Sequence, residues 1–341
     1  MQPSPPIPLL LVLDGNSLLH RAYHAAATGR LLDQFGRPVW AIKGLLGYVA
    51  RAAALLQPDA VRVGFDCPDE STRKTDYPAY KAHRPEKPSD LAEQIAAAPD
   101  LLRSTGVCTV VCAGFEADDV LASSAAQARD SGWRSVLMTS DRDAFALIDK
   151  STSVLRVRNG GFDEAVIVSP ESLFEIYGVQ PSQYCDYAAL RGDPSDNLRG
   201  VPSFGSATAA RLLATFGSVD AAWAAQDAGD HEAVRTVVGL TSSEHLLAST
   251  SREAVNRNRR LMRMYTDLPM PDLESARLPI ELRAMKRALA DRGIYLGPSL
   301  WALTGGAKPI SAVTPAAPRQ WVRKKGLGRW REPIPGQLTL F

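Results

Sequence analysis

Four short apolar runs, each leading into acidic residues and each followed by helix-patterned sequence, constrain this chain more than any other feature. LLLVL (9–13) runs into Asp14 and AVRVGF (60–65) into Asp66. VCTVVC (107–112) leads to Glu116, Asp118 and Asp119, and SVLM (135–138) leads to Asp141 and Asp143. Continuous apolar runs of this length suit strands buried on both faces. Between them, Ala41–Leu56 and Glu116–Arg129 read as helices. Strands alternating with helices predict a mostly parallel sheet flanked by helices, an α/β fold. Open sheets of this kind bind ligands beyond the carboxyl ends of their strands, and that is where the acids fall.

One aspartate at a strand end is an ordinary cap or turn residue. Seven carboxylates supplied by four strand ends repel one another unless cations sit between them. Oxygen ligands with no cysteine or histidine cluster point to Mg²⁺, with Mn²⁺ as a substitute, rather than zinc. His20, His24 and His83 are expected as packing or surface residues. No G-x-S-x-G elbow and no Walker A loop occurs. The four cysteines, Cys67, Cys108, Cys112 and Cys185, form no C-x-x-C pair and are expected as buried thiols in a reducing cytoplasm. No run of about 18 apolar residues suggests a membrane span, and the first residues lack a signal peptide's basic start.

After Ser151 the pattern changes. VLRVR and EAVIV around Asn159-Gly160-Gly161 predict a β-hairpin. From Ser169 short helices dominate, several ending at glycine (Gly178, Gly217, Gly293), so a helical subdomain is expected over 169–303. It contains a second acidic group, GDPSDN, with Asp193 and Asp196, followed by a glycine turn that opens a helix. Such a turn presents backbone N–H groups to phosphate. Residues 304–341 carry seven Lys/Arg and one acid, which leaves the rest of the chain with 32 basic against 36 acidic residues. This Pro/Gly-rich stretch is expected to be a flexible tail.

LVLDGNSLLHRAYHA, VGFD, YPAYKAHRPEKP, FEADDVLA, TSDRDAFAL and GDPSDNLRGVPSFG stand in an order and spacing that resembles the bacterial and phage 5′-nuclease (flap endonuclease) family over roughly residues 9–300. The resemblance implies a PIN-like nuclease core over 1–168, with an arch region at about 71–102. It implies a helix-three-turn-helix at about 185–217 that grips duplex DNA and often holds K⁺. It implies that Asp14, Asp66, Glu116, Asp118, Asp119, Asp141, Asp143, Asp193 and Asp196 are the metal-site acids for two Mg²⁺ ions. Lys81, Arg84 and Arg21 match the residues at the scissile phosphate. Arg73, Lys74, Tyr77 and Tyr80 of the arch, and Gly200, Val201, Gly205 and Ser206 of the turn, match DNA-contacting positions; cations beside rings suit single-stranded DNA. Ser203-Phe204-Gly205 and Ala207 stand where the family usually has Gly-Ile-Gly and then lysine.

The implied activity is metal-dependent hydrolysis of flap or nicked DNA, or of RNA primer–DNA hybrids, by a cytoplasmic monomer that carries no polymerase. Two rivals are a metal-dependent single-strand RNase or phosphatase and a non-catalytic replisome DNA-binding protein. A duplex clamp argues against the first and the complete set of acids against the second. Gln337, Leu338, Leu340 and Phe341 resemble the short peptide by which bacterial replication proteins dock onto the sliding clamp; a tethered peptide raises effective concentration at a partner.

Overall fold

The computed structural model describes residues 6–25, 30–69, 71–158, 161–296, 300–309, 322–323 and 330–331. The four apolar runs become β1 (Leu9–Asp14), β2 (Ala60–Phe65), β3 (Cys108–Val111) and β4 (Arg134–Thr139). With β5 (Thr152–Arg158) and β6 (Gly161–Val168) they form a six-stranded sheet ordered β3-β2-β1-β4-β5-β6. Every pairing is parallel except β5 with β6, the expected hairpin; Asn159 and Gly160 of its turn lie outside the described residues. β1 is central, and all six of its residues are buried, which explains a run with no polar alternation. The chain winds outward from β1 through β2 to β3, then returns to place β4 on the other side of β1. The carboxyl ends of β1, β2 and β4 therefore surround one crevice.

Helices cover both faces. α1 (Gly15–Ala25), α2 (Trp40–Leu56) and α4 (Ser89–Ser104) pack on one, burying Leu18, Leu45 and Leu101 against Leu11 and Leu13. α3 (Thr72–Asp76) is a single short helix. α5 (Ala117–Asp130) covers the other face with Leu121 and Ala125. Its start is fixed by a capping box, in which the N-cap Glu116 and Asp119 each engage the other's backbone N–H.

The arch region divides differently from expectation. Residues 77–88 are a turn-rich strap, but α4 buries Leu91, Ala98, Leu101 and Leu102 in the core. Its apolar face, repeating at helical spacing, makes it a flank of the sheet and not part of an arch.

The helical region contains α6 (Pro170–Tyr177), α7 (Tyr184–Arg191), α8 (Ser206–Phe216), α9 (Val219–Asp227), α10 (His231–Val238), α11 (Leu240–Leu247) and α12 (Ser249–Met262). It has no separate core. Tyr184, Tyr187, Leu212, Trp223 and Val255 belong to the same apolar cluster as Leu10, Val12 and Leu137 of the sheet. The expected boundary at 303 also shifts in physical terms. α13 (Leu282–Ala290) and α14 (Trp301–Thr304) return to the opposite face, where Met285, Leu289 and Leu303 join the α1–α2 cluster. The two-residue strands β7 (Gly192–Asp193) and β8 (Leu198–Arg199) pair antiparallel. Gly192 has φ +71°, and a Cβ there would lie 2.3 Å from the Gly200 nitrogen. Only glycine permits that approach. β9 (Val322–Arg323) pairs with β10 (Trp330–Arg331), and Gln337–Phe341 lie outside the described residues. The cysteines expected as buried thiols are all only partly buried and free. Among the described residues no helix is long and apolar enough to cross a membrane.

Candidate active site

Asp14 closes β1, and its position is fixed on both oxygens. The Ser17 N–H donates to Oδ1 at 2.9 Å and the Thr139 hydroxyl to Oδ2 at 2.7 Å. Asp66 follows β2 and accepts from the Ala117 N–H at 2.8 Å, while its own N–H donates to Asn16 Oδ1. Asp118 stands in the first turn of α5; its Oδ1 is buried and has no hydrogen-bond partner. Asp141 accepts from the Asp143 N–H at 2.9 Å, and Asp143 opens a 3₁₀ turn at 143–147. Asp193 accepts from the N–H and the hydroxyl of Ser195.

The electrostatics follow from this crowding. Burial, reinforced by Asp66 and Asp141 against the Ser17 and Thr139 hydrogen bonds, pushes the Asp14 carboxyl up to about 7. Burial and then Asp141 and Asp14 raise Asp118 well above the ordinary range, and burial with Asp141 and Asp193 does the same to Asp143. Burial also raises Asp66. Carboxylates held together out of water resist ionising unless a cation compensates them.

A second set already has its cations. Glu116 accepts from Lys81 Nζ at 2.9 Å and from the Tyr80 hydroxyl at 3.2 Å, with Arg73 at 3.7 Å. Burial raises its pKa, but Lys81 and Arg73 outweigh burial and hold it below the ordinary value. Asp196 is 2.5 Å from Arg84 and 3.9 Å from Lys81; burial still lifts it above the ordinary range. Burial opposes the Lys81 charge, yet Tyr80, Glu116 and Asp196 overcome it and raise the ammonium's pKa.

Asp119 departs from its expected role as a metal ligand. It is fully buried and receives Arg73 through both oxygens at 2.6 and 2.7 Å. The N–H groups of Glu116 and Tyr265 complete it. Its lone pairs are committed, so it braces the start of α5 and does not face the crevice. Arg73 departs with it from the DNA-contacting set: it is 6% exposed, and it also donates to the carbonyls of Leu261 and Arg263. Tyr80 is likewise 5% exposed, so its ring has no free face for a base. Tyr77 lies half-buried under the Arg257 guanidinium, 4.9 Å away. Lys74 is exposed on α3 and lines a groove of about 830 Å³ with Lys81, Arg84 and Lys87.

Arg21 donates to the Ser140 hydroxyl and to the Arg158 carbonyl, which anchors it beside the acidic rim. In the glycine turn, the Val201 N–H donates to the Leu190 carbonyl, and Gly200 packs against Gly192. Those two positions close the hairpin, and the Val201 N–H is already committed within it. Gly205 is the exposed N-cap of α8, and Ser206 begins the helix, whose first N–H groups have no intrahelical acceptor. Ser203 adopts φ +67° and its hydroxyl lies 3.2 Å from His245 Nδ1.

A pocket of about 330 Å³ brings Asp141, Asp143 and Asp193 together with Arg142, Arg156 and Arg191. These arginines were missed by the sequence reading; the one available signal was Arg142 lying between two acids. Thr139 and Asn16, which orient Asp14 and the Asp66 segment, gave none. His20 is pushed down to about 4 by burial and by Lys87, so it stays neutral, as a packing residue should.

The donor set fits hard divalent cations: several oxygens, raised pKa values and a buried, unsatisfied Asp118 Oδ1. As the side chains stand, no three acidic, histidine or cysteine groups among the described residues converge on one ligating point.

Comparison with known proteins bears on both parts. The 5′-3′ exonuclease N-terminal resolvase-like domain matches residues 9–178, and the 5′-3′ exonuclease C-terminal SAM fold matches 179–284. DNA polymerase I of Mycobacterium leprae is 37% identical over 264 residues, covering 77% of this chain and 28% of that protein. Thermostable DNA polymerase I of Thermus thermophilus is 33% identical over 298 residues, covering 85% and 34%. The chain thus spans about a third or less of the length of these relatives. The bacteriophage T5 flap endonuclease, solved as a pseudo-enzyme-product complex with DNA and metal ions, shares the fold at a TM-score of 0.58 and 18% identity, covering 86% of this chain and 97% of that one.

Proposed function

The chain belongs to the 5′-3′ exonuclease family, both of whose domains it contains, and from that premise we propose that it is a divalent-metal-dependent 5′-nuclease acting on flap or nicked DNA. The observation that carries this reading is the rim itself. Asp14, Asp66, Asp118 and Asp143 gather at the strand ends with raised pKa values, with Asp141 among them, beside a strap that offers Lys81 and Arg84. The polymerase relatives and the T5 complex with DNA and metal ions support the same reading.

Asp14, Asp66, Glu116 and Asp118 would hold one Mg²⁺, and Asp141, Asp143, Asp193 and Asp196 a second; Asp119 supports them through α5. When bound, such ions activate water and stabilise the leaving oxygen in phosphodiester hydrolysis. The protein's own groups do the rest. Lys81 and Arg84 leave their carboxylate partners and stabilise charge on the phosphate. Arg21 orders Ser140 beside Asp141. The first turn of α8, with Gly205 and Ser206, receives a duplex phosphate, and the same turn is the candidate K⁺ site. Lys74 and the groove beside it accept the unpaired 5′ strand. The products are a 5′-phosphate and a 3′-hydroxyl.

The nuclease is assigned to the cytoplasm, as a monomer, in replication or repair. RNA primer–DNA hybrids are further substrates, and Gln337, Leu338, Leu340 and Phe341 would dock on a sliding clamp. Deleting residues 337–341 should abolish clamp binding and leave the basal rate intact. The decisive test of the main reading is digestion of end-labelled flap, nicked and single-stranded substrates with Mg²⁺ and with EDTA. Flap or nick cleavage that requires Mg²⁺ is expected. Preference for the single strand would favour an RNase-like enzyme, and metal-independent cleavage would refute the proposal.

A further inference from the structure

Lys81 occupies a left-handed backbone conformation, φ +55°, within the run of turns at 78–83 of the strap. L-residues with side chains avoid that region unless their surroundings impose it. The surroundings here are residues 195–197, more than a hundred positions away in sequence. The Lys81 N–H donates to the Asp196 carbonyl at 3.1 Å. The Asn197 side-chain amide donates to the Ala79 carbonyl at 2.9 Å. Arg84 Nε donates to the Ser195 carbonyl at 3.2 Å. The peptide run Ala79–Lys81 is therefore pinned at both ends by one turn of the helical region.

Asn197 suits this task twice over. It is itself left-handed, φ +61°, a conformation asparagine tolerates better than most residues. Its amide also points out of the turn with a donor that the strap accepts. The turn that carries it continues directly through β8 into the glycine turn and α8. Strap and duplex-facing motif are thus one mechanical unit.

We propose that Asn197 is a positioning residue: its amide fixes where the Lys81 ammonium stands, and ties that placement to the helical motif that receives duplex DNA. The inference rests on the reading of Lys81 as a phosphate contact. A misplacement of about an ångström at a reacting centre costs on the order of 10²-fold in rate, so the loss should appear in the chemical step and not in binding.

The test compares wild type, Asn197→Gly, Lys81→Ala and the double variant in single-turnover cleavage of a 5′-flap DNA with Mg²⁺, alongside flap affinity and Tm. Glycine keeps the left-handed turn and deletes only the amide. Asn197→Asp, which keeps the size and loses the donor, replaces it if the glycine variant is too unstable. The expected result is a rate lowered roughly tenfold or more, affinity within about twofold of wild type, and no further loss when Asn197→Gly is added to Lys81→Ala. A purely structural role would instead multiply with Lys81→Ala, or act through affinity and Tm; either result overturns the inference. A wild-type rate for Asn197→Gly beside a slow Lys81→Ala overturns it alone. A wild-type rate for Lys81→Ala overturns the reading of Lys81 and this inference with it.

Discussion

Glu116 and Asp118 stand two residues apart at the start of one helix, yet their surroundings are opposite. Glu116 faces Lys81, Arg73 and the Tyr80 hydroxyl and has a lowered pKa. Asp118 faces Asp14 and Asp141, has an oxygen with no partner, and has a raised one. The same division of partners runs through the rim, although burial still lifts Asp196 on the partnered side. Asp119 and Asp196 have arginine partners, whereas Asp14 and Asp143 are crowded chiefly by other acids. Burial raises both Glu116 and Asp118; around Glu116 the neighbouring cations outweigh it, and around Asp118 the neighbouring acids add to it. What differs is whether the protein supplies the compensating charge. One side carries its own cations; the proposed function has the other completed by cations from solution.

Neutralising one acid from each side should separate the two sets most strongly. Asp118→Asn should lower flap cleavage by about 10³-fold or more, the scale of losing a group that stabilises transition-state charge, and should weaken Mg²⁺ binding while leaving DNA affinity nearly intact. Asp119→Asn should instead lower Tm and retain measurable Mg²⁺ binding. Equal loss of Mg²⁺ affinity in both variants would erase the division. Arg73→Ala comes next. Removing the partner of a buried, bidentate carboxylate costs about 3–5 kcal/mol, read by denaturant unfolding, and a change below about 1 kcal/mol would show that Asp119 does not depend on it.

The strap offers a smaller effect. Lys81→Ala should slow single-turnover cleavage by about 10²-fold with little change in flap affinity, as expected for a charge placed at the reacting phosphate. Unchanged rates in Lys81→Ala and Arg84→Ala would remove the strap from the chemistry.

The smallest effect is a pH dependence. The Asp14 carboxyl titrates near 7 when folded and near 3.8 ordinarily, so the folded state holds this proton more tightly. Its contribution to stability is complete below the unfolded value and is lost as pH rises through the folded one. In EDTA the protein should therefore lose about 2–3 kcal/mol between about pH 5 and pH 8. Asp14→Asn should flatten that fall, and Mg²⁺ should restore stability mainly at the alkaline end. An unchanged slope in Asp14→Asn would remove Asp14 from the effect.

How far the sequence revealed this arrangement depends on the kind of signal. β1, β2 and β4 were legible because strands buried on both faces leave apolar runs, and the acids at their ends were legible because topology brings strand ends together. Roles that depend on side-chain direction were not. The EADD run gives no indication that Asp118 turns to the crevice while Asp119 turns back to Arg73. Periodicity alone could not assign α4 to the core, because its basic, proline-rich approach at 81–88 has the composition of a strap. The return of α13 and α14 to the far face was invisible for a similar reason: an amphipathic stretch says that it buries one side, not against which surface.

In the proposed function, divalent cations complete the bare side of the rim. Calorimetric titration of the protein with Mg²⁺ near pH 6, in two buffers of different ionisation enthalpy, tests it most directly. Carboxyls held above their ordinary pKa must give up protons when a cation takes their place. Mg²⁺ should bind with net proton release, reduced in Asp14→Asn and largely retained in Asp119→Asn. Binding without proton release, or no Mg²⁺ binding, would contradict it.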